Sequence, residues 1–334
     1  MSTTPEIGRR HFIAVASAAA CAALALPLAA QAQNKLPVVA FLHPQHSTVS
    51  DVEAGSSWRQ RLRELGWEEG KTLRFENAYA EGREDRLKSL AAMLVEKKVD
   101  VIVTAGSSAT RAATQASGTI PIVAIGPSLV AMGLAGSMAR PGGNVTGPSF
   151  DAGPGLSAKR LELLKLAVPA AKRIVFMRNT GLTAGVAAEQ TVAAARGLGL
   201  ELSAIMVDSP ADLDVAMAAL SRDRPDAIWF ADTPANISLR TRIVEFAARE
   251  RLPAVYGIAL FAESGGLMSY GINFAERSRA AALYVDKILR GAKAGELPID
   301  QATTFELVLN LKAARALGLV FPQALLLSAD RVIE

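Results

Sequence analysis

The chain has 334 residues, half of them hydrophobic, and 36 lysines and arginines against 32 aspartates and glutamates give a formal net charge of +4. That length suits about two domains, and abundant alanine, leucine and valine with few aromatics suit an α/β protein with buried parallel strands. The charges are interspersed, with no basic stripe and no interleaved aromatics, so no nucleic-acid partner is expected.

Residues 1–32 read as a signal peptide. Arg9-Arg10 precedes an apolar run from Phe12 to Ala30, and Ala30-Gln31-Ala32 supplies the small-residue ending, with cleavage expected after Ala32. The paired arginines suit the twin-arginine export route and the general route alike. Cys21, the single cysteine, lies inside the apolar run, which continues past it, so a lipid anchor is not expected. The mature chain then has no cysteine and no disulfide. No later apolar run reaches about 20 residues, so no transmembrane helix is expected.

The remainder alternates strand and helix. Leu36 to Leu42 is a short apolar run, read as a buried first strand, followed by a loop from His43 to Ser50. Trp58 to Leu65 is an amphipathic helix closed by Gly66, and Leu73 to Tyr79 is a second strand. Arg83 to Lys98 has helical period, with Leu87, Leu90, Leu94 and Val95 on one face. Val99 to Thr104 is a third strand that turns at Gly106-Ser107-Ser108 into another helix, and Ile120 to Ile125 is a fourth strand. This β-α-β-α order predicts a parallel sheet with helices on both faces. Ala139 to Gly147 (ARPGGNVTG) carries dense turn chemistry, since Pro141 ends a helix and Gly142 and Gly143 permit positive φ. It reads as a crossover between two similar lobes or as a glycine-rich surface loop.

The pattern then restarts. Helices are expected over 159–167, 185–198, 210–221 and 237–250, and strands over 173–177, 202–207, 227–231 and 253–256. So the same motif is built twice, without detectable identity between the halves. Strand-like Gly266 to Tyr270, a helix over 275–290, a strand over 305–310 and a helix over 311–317 complete the chain. This tail is too small for a third domain and is expected to pass back between the lobes and finish both sheets.

Several chemistries are excluded. Gly66-Trp67-Glu68-Glu69-Gly70-Lys71-Thr72 resembles a phosphate loop, but it is one residue short and runs into a strand where a helix N-terminus is needed. Val103 to Ser108 lacks the second and third glycines of a dinucleotide loop, so no Rossmann cofactor is expected. The mature chain has two histidines, His43 and His46, both in the first loop, with no G-x-S-x-G elbow. His46 is expected to touch ligand or solvent rather than metal. No paired acid and base stands out, so an enzyme is not expected.

What remains is polar residues at strand C-termini, where open α/β sheets bind ligands. Ser107 and Ser108 open a helix and suit a carboxylate; capping of that helix is the other role open to them, and both can hold together. Ser128 follows the fourth strand. In the second half Asn179-Thr180, Asp232 and Tyr256 occupy equivalent ends. Asp232 pairs with a ligand ammonium or caps the next helix. Tyr270 stacks on a ligand or is a core tyrosine.

These stretches carry a resemblance. LRELGWEEGKTL (62–73), VDVIVTAGSSAT (99–110), IPIVAIGPSLVAMGLAGSMARPGGNVTG (120–147), KRLELLKLAVPAAKRIVFM (159–177), ILRGAKAGELPI (288–299) and FELVLNLKAARALGL (305–319) span nearly the whole mature chain. The chain resembles the periplasmic substrate-binding proteins of ABC transporters described as tryptophan/tyrosine-type binding proteins. The resemblance implies a type I periplasmic binding fold of two Rossmann-like lobes with parallel sheets joined by three hinge crossings. Lobe 1 would be residues 36–147 plus 271–299, and lobe 2 residues 148–270 plus 300–334. A small carboxylate-bearing solute, with an aromatic amino acid among the candidates, would bind between the lobes of a periplasmic monomer and pass to an ABC permease. A ligand-sensing module for a signalling receptor, or an exported enzyme on the same fold, are the alternatives. The family's contacts carry over loosely to Ser107, Ser108, Asn179, Asp232 and Tyr270, and Gly142, Gly143, Thr146 and Gly147 would serve the first hinge strand. Ser128-Leu129 departs from the family's usual aspartate-proline, which puts the charge of the preferred ligand in question.

Overall fold

The structure is a computed structural model that describes residues 35–46, 56–126, 128–150, 155–178 and 186–334. The expected signal peptide and the expected site residues Asn179 and Thr180 lie outside the described residues. Among the described residues no helix is long and apolar enough to cross a membrane.

Lobe 1 follows the first alternation. It contains β1 (Val38–His43), α1 (Ser56–Glu64), β2 (Arg74–Tyr79), α2 (Leu87–Glu96), β3 (Val101–Ala105), α3 (Gly106–Ala116), β4 (Ile122–Ile125) and β5 (Val145–Thr146). The strands form a five-stranded parallel sheet in the order β2-β1-β3-β4-β5. The side-chain period of two explains why an unbroken apolar run can be a strand here. Val38, Ala40 and Leu42 pack on one face with Leu87, Leu94, Ala109 and Ala113 from α2 and α3. Val39 and Phe41 pack on the other with Trp58 and Leu62 of α1 and with Ala281, Ala282 and Val285 of a helix that returns from the far end of the chain.

The chain leaves lobe 1 through β6 (Pro148–Ser149). Gly147 is required at the departure point: its φ is +140°, and a Cβ there would stand 2.3 Å from the Ala124 carbonyl oxygen. Gly142 and Gly143, expected in this crossing, sit instead in a lobe 1 turn. The Gly142 amide donates to Gly295 O at 3.1 Å, and a Cβ on Gly295 would stand 2.4 Å from Gly143 O. Thr146 belongs to β5 and is fully buried, with its hydroxyl donating to Leu297 O at 2.7 Å. Gly295 therefore allows the close approach of two lobe 1 turns, while Gly142 supplies the positive φ of +81° that its turn needs.

Lobe 2 holds α4 (Gly155–Ala167), β7 (Arg173–Arg178), α5 (Val186–Gly197), β8 (Glu201–Met206), α6 (Pro210–Arg222), β9 (Ala227–Phe230), α7 (Pro234–Ser238), α8 (Arg240–Arg249), β10 (Ala254–Tyr256), α9 (Ala259–Glu263) and β11 (Met268–Ile272). The helix expected over 237–250 is two helices, broken at Leu239, whose ψ of 8° leaves the helical range. The chain then returns to lobe 1 as α10 (Phe274–Leu289), capped by the Asn273 side chain, which accepts from the Glu276 amide. It crosses a third time through β12 (Asp300–Gln301) and ends in β13 (Phe305–Asn310), α11 (Leu311–Leu317), α12 (Gln323–Leu327) and β14 (Arg331–Ile333).

The second sheet has seven strands in the order β14-β13-β11-β10-β9-β7-β8, with only the β11–β13 pair antiparallel among them. Both tail strands, β13 and β14, join this sheet. The tail thus does not finish both sheets, as its pattern suggests; its contribution to lobe 1 is the cover helix α10. The first and third crossings pair as a two-stranded parallel ribbon, Asp300 beside Pro148 and Gln301 beside Ser149. Arg277, at the start of α10, donates to the Asp300 carboxylate at 2.9 Å and to Asp300 O at 2.7 Å. All three crossings are therefore tied together at one place.

Candidate functional site

The lobes meet beside the crossings, at the C-terminal ends of their parallel strands. Phe150, just past β6, packs against core clusters of both lobes. Farther out, the loop after β1 reaches α7 of lobe 2, where Ser238 Oγ donates to Gln45 Oε1 at 3.4 Å. Gln45 is nearly buried, and its amide donates to His43 Nδ1 at 3.1 Å. Neither Gln45 nor Ser238 was singled out by the sequence, since each is a common polar residue in a loop or a short helix. His46 is exposed one residue beyond Gln45.

On lobe 1, β3 runs directly into α3 through Gly106, whose φ of +77° favours glycine. Ala105 is the N-cap and no side chain caps this helix. The capping role considered for Ser107 and Ser108 is thus not the one they play. Ser107 is exposed, Ser108 is half-buried, and neither hydroxyl has a hydrogen-bond partner among the described residues. The turn itself is held from behind: Thr110 Oγ1 donates to Gly106 O at 2.7 Å and lies 2.8 Å from Thr104 Oγ1. Free amides, a helix dipole and two unengaged hydroxyls make this end of lobe 1 suited to an anion. Ser128 is half-buried after β4, while its neighbour Leu129 is a core residue of the lobe.

On lobe 2, Asp232 lies two residues beyond β9. It does not cap α7. Thr233 does so, its hydroxyl accepting from the Asn236 amide at 3.2 Å. Asp232 Oδ2 instead accepts from Arg160 Nη2 at 3.2 Å. Arg160 comes from α4 and was not foreseen as a site residue, although the sequence held a signal. It shares its helix face with Leu164 and Ala167, at the spacing of a buried stripe, and all three are buried.

Tyr256 is a correction. It was expected to reach the ligand from the end of β10, but it is fully buried between Phe230 and Phe261, with ring centroids at 5.7 Å and 4.7 Å and near-parallel planes. Burial pushes its phenol pKa well above the usual tyrosine range. Its hydroxyl has no hydrogen-bond partner among the described residues, and the residue borders a cavity of about 250 Å³ beside Ala247, Leu267 and Ala313. Tyr256→Phe is therefore expected to raise stability by about 1 kcal/mol, by removing an unpaired buried hydroxyl. A thermal melt reads this as a gain of roughly 2 °C, with ligand affinity unchanged; lost affinity would return Tyr256 to the ligand. Tyr270 is half-buried, and its ring packs 6.0 Å from that of Phe305. Its backbone also takes part in the site: Tyr270 O accepts from Arg160 Nε at 2.6 Å.

A second cavity, of about 420 Å³, lies at the opposite edge of lobe 1. Pro37, Asp100, Pro121 and Asn144, each at the N-terminal side of a strand, line it. It is remote from the strand ends described above. Among the described residues no three histidine, cysteine, aspartate or glutamate side chains are placed to hold a metal ion.

The fold of two α/β lobes joined by three crossings has known relatives. A tyrosine-binding protein of Clostridioides difficile is 23% identical over 278 residues, which are 82% of this chain and 79% of that one. A conserved domain protein of Vibrio cholerae superposes with a TM-score of 0.80 at 27% identity, over 89% of this chain and 100% of the other. An ABC domain from Streptococcus pneumonia in complex with L-Trp also superposes with a TM-score of 0.80, at 23% identity, over 90% of this chain and 100% of that one. The family profile for ABC transporter substrate binding protein matches residues 43–333, nearly all of the described chain, and the protein belongs to that family.

Proposed function

We propose that the chain is an exported, monomeric solute receptor that closes on an amino acid and presents it to an ABC permease in the inner membrane. Residues 1–32 would direct its export to the periplasm. The ligand's carboxylate would meet the start of α3 at Ser107 and Ser108, and its ammonium would meet Asp232. An aromatic amino acid is the first candidate, in keeping with the tyrosine-binding relative and the L-Trp complex.

One observation carries this reading. The two walls have opposite character: an uncapped helix N-terminus with unengaged hydroxyls on lobe 1, and a carboxylate on lobe 2. A zwitterion bridges such walls only when they approach, so binding energy is available mainly in the closed state. The Gln45–Ser238 contact links the same two lobes. In this reading the ligand is carried and released unaltered.

Calorimetric titration of the mature protein with L-tyrosine, L-tryptophan and L-phenylalanine tests the proposal. At least one is expected to bind with a Kd at or below the micromolar range, to raise the melting temperature by mass action, and to be recovered unaltered. No heat and no melting shift with any amino acid would overturn it.

A further inference from the structure

Arg160 has a peculiar position for a charged residue. Its side chain is 5% exposed, yet it stands at the cleft-facing ends of three neighbouring strands of lobe 2. Nε donates to Tyr270 O of β11 at 2.6 Å. Nη2 donates to Gly257 O, just after β10, at 3.3 Å, and to Asp232 Oδ2, just after β9, at 3.2 Å. The guanidinium carbon lies 5.9 Å from the centre of the Trp229 ring, which walls it from below. A buried cation is costly unless it is paired and its hydrogens are used. Here one carboxylate supplies the charge, and it and two carbonyls take three of the five guanidinium hydrogens, those on Nε and Nη2.

The pair is asymmetric. Arg160 is shut away, whereas the Asp232 side chain is 24% exposed. Only Oδ2 is engaged by Arg160, and Oδ1 has no hydrogen-bond partner among the described residues. Asp232 also packs closely on the neighbouring strand end. A Cβ on Gly257 would stand 2.4 Å from Asp232 Cγ, so the carboxylate rests directly on the backbone of the next strand end. Thr233 takes the capping duty that an aspartate at this point would otherwise compete for. The result is a carboxylate gripped through one oxygen from behind and offering the other forward.

We infer that Arg160 is a positioning residue for ligand selection: it holds Asp232 so that Oδ1 accepts the ammonium of an α-amino acid. This rests on the amino-acid reading above and adds what enforces it. Discrimination between an amino acid and the same molecule without its amino group is set by a side chain that never touches the ligand. Asp232 alone, without its rear anchor, would rotate into solvent and offer a hydrated and poorly placed charge.

The test compares two ligand pairs by calorimetry: L-tyrosine with 3-(4-hydroxyphenyl)propionate, and L-tryptophan with 3-indolepropionate. Wild-type protein is expected to prefer the amino acid at least tenfold. Asp232→Asn should erase most of that preference while leaving the propionate affinity within about threefold. Arg160→Met should erase it as well, although Asp232 is still present, and Arg160→Lys should restore a substantial part. A purely structural cross-link predicts otherwise: Arg160→Met would lower both ligands' affinities together, or lower only the melting temperature, with the preference intact. Either result would overturn the inference. If Arg160→Met does not fold, Arg160→Lys decides, since a shortened cation that no longer reaches Gly257 O and Tyr270 O together should lower the preference measurably below wild type. Full retention of the preference in a folded Arg160→Lys protein counts against the inference. Wild-type protein that binds neither member of either pair would overturn the amino-acid reading itself, before any variant is made.

Discussion

Gly271→Ala is expected to destabilise the protein by roughly 3 kcal/mol or more, the upper end of overpacking costs. A Cβ at Gly271 would lie 1.8 Å from Gly257 O and 2.8 Å from Arg160 Nη2. Most overpacked sites relax because a neighbouring side chain changes rotamer. Here the nearest obstacle is backbone, and that backbone follows β10, which is paired in register with β11. Relief would require separating the two strands and with them the carbonyls that hold Arg160. The melting temperature should fall by roughly 6 °C or more. Gly197→Ala is the control. It lies in α5 with nothing within 4 Å of the added methyl, so it should be neutral or stabilising by about 0.5–1 kcal/mol through helix propensity. A Gly271→Ala protein that melts within 2 °C of the parent would remove the argument for a crowded strand edge behind the site.

The two-lobe plan was legible because its strands are short apolar runs between amphipathic helices. Residues 38–42, 101–105 and 227–230 needed only that pattern. The crossing was harder. Pro141, Gly142 and Gly143 signal a turn, but a turn sequence does not say which two bodies it joins, and the backbone of this turn packs on Gly295 inside lobe 1. β14, Arg331–Ile333, is three residues at a sheet edge, too short and too exposed for periodicity to show. Tyr256 shows a limit of strand-end reasoning. Its position at the end of β10 was read correctly, but a paired residue projects off the sheet face, not along the strand. Tyr256 shares a face and a core cluster with Ala254, while Val255 belongs to the other cluster. Residues past the last pair, such as the partly exposed Asp232, are the ones free to point beyond the sheet faces. Arg160 was legible in principle, as an arginine on the buried stripe of α4. Its partners were not, because they lie 72 to 110 residues away in sequence.

Ser107→Asp should separate binding from stability. The residue is exposed in the first turn of α3, close to the unpaired amides of the helix start. A carboxylate there meets the positive end of the helix dipole, so the melting temperature should stay level or rise, with a gain of about 0.3–1 kcal/mol. The same carboxylate would occupy the place proposed for the ligand's own. Two like charges about 4 Å apart repel by about 4 kcal/mol at an effective dielectric constant of 20, and less where water enters. A loss of roughly 2 kcal/mol, or about 30-fold in Kd, is a conservative expectation. Ser107→Ala removes one hydroxyl without adding charge and should cost about 1 kcal/mol, so the two variants should differ clearly. Calorimetric titration of both with L-tyrosine or L-tryptophan, beside their melts, checks the order. Equal affinities for the two variants would mean that the ligand's carboxylate lies elsewhere. An aspartate variant that is more stable yet binds at least 30-fold more weakly would place it at the start of α3, with Asp232 left to hold the opposite end of the zwitterion.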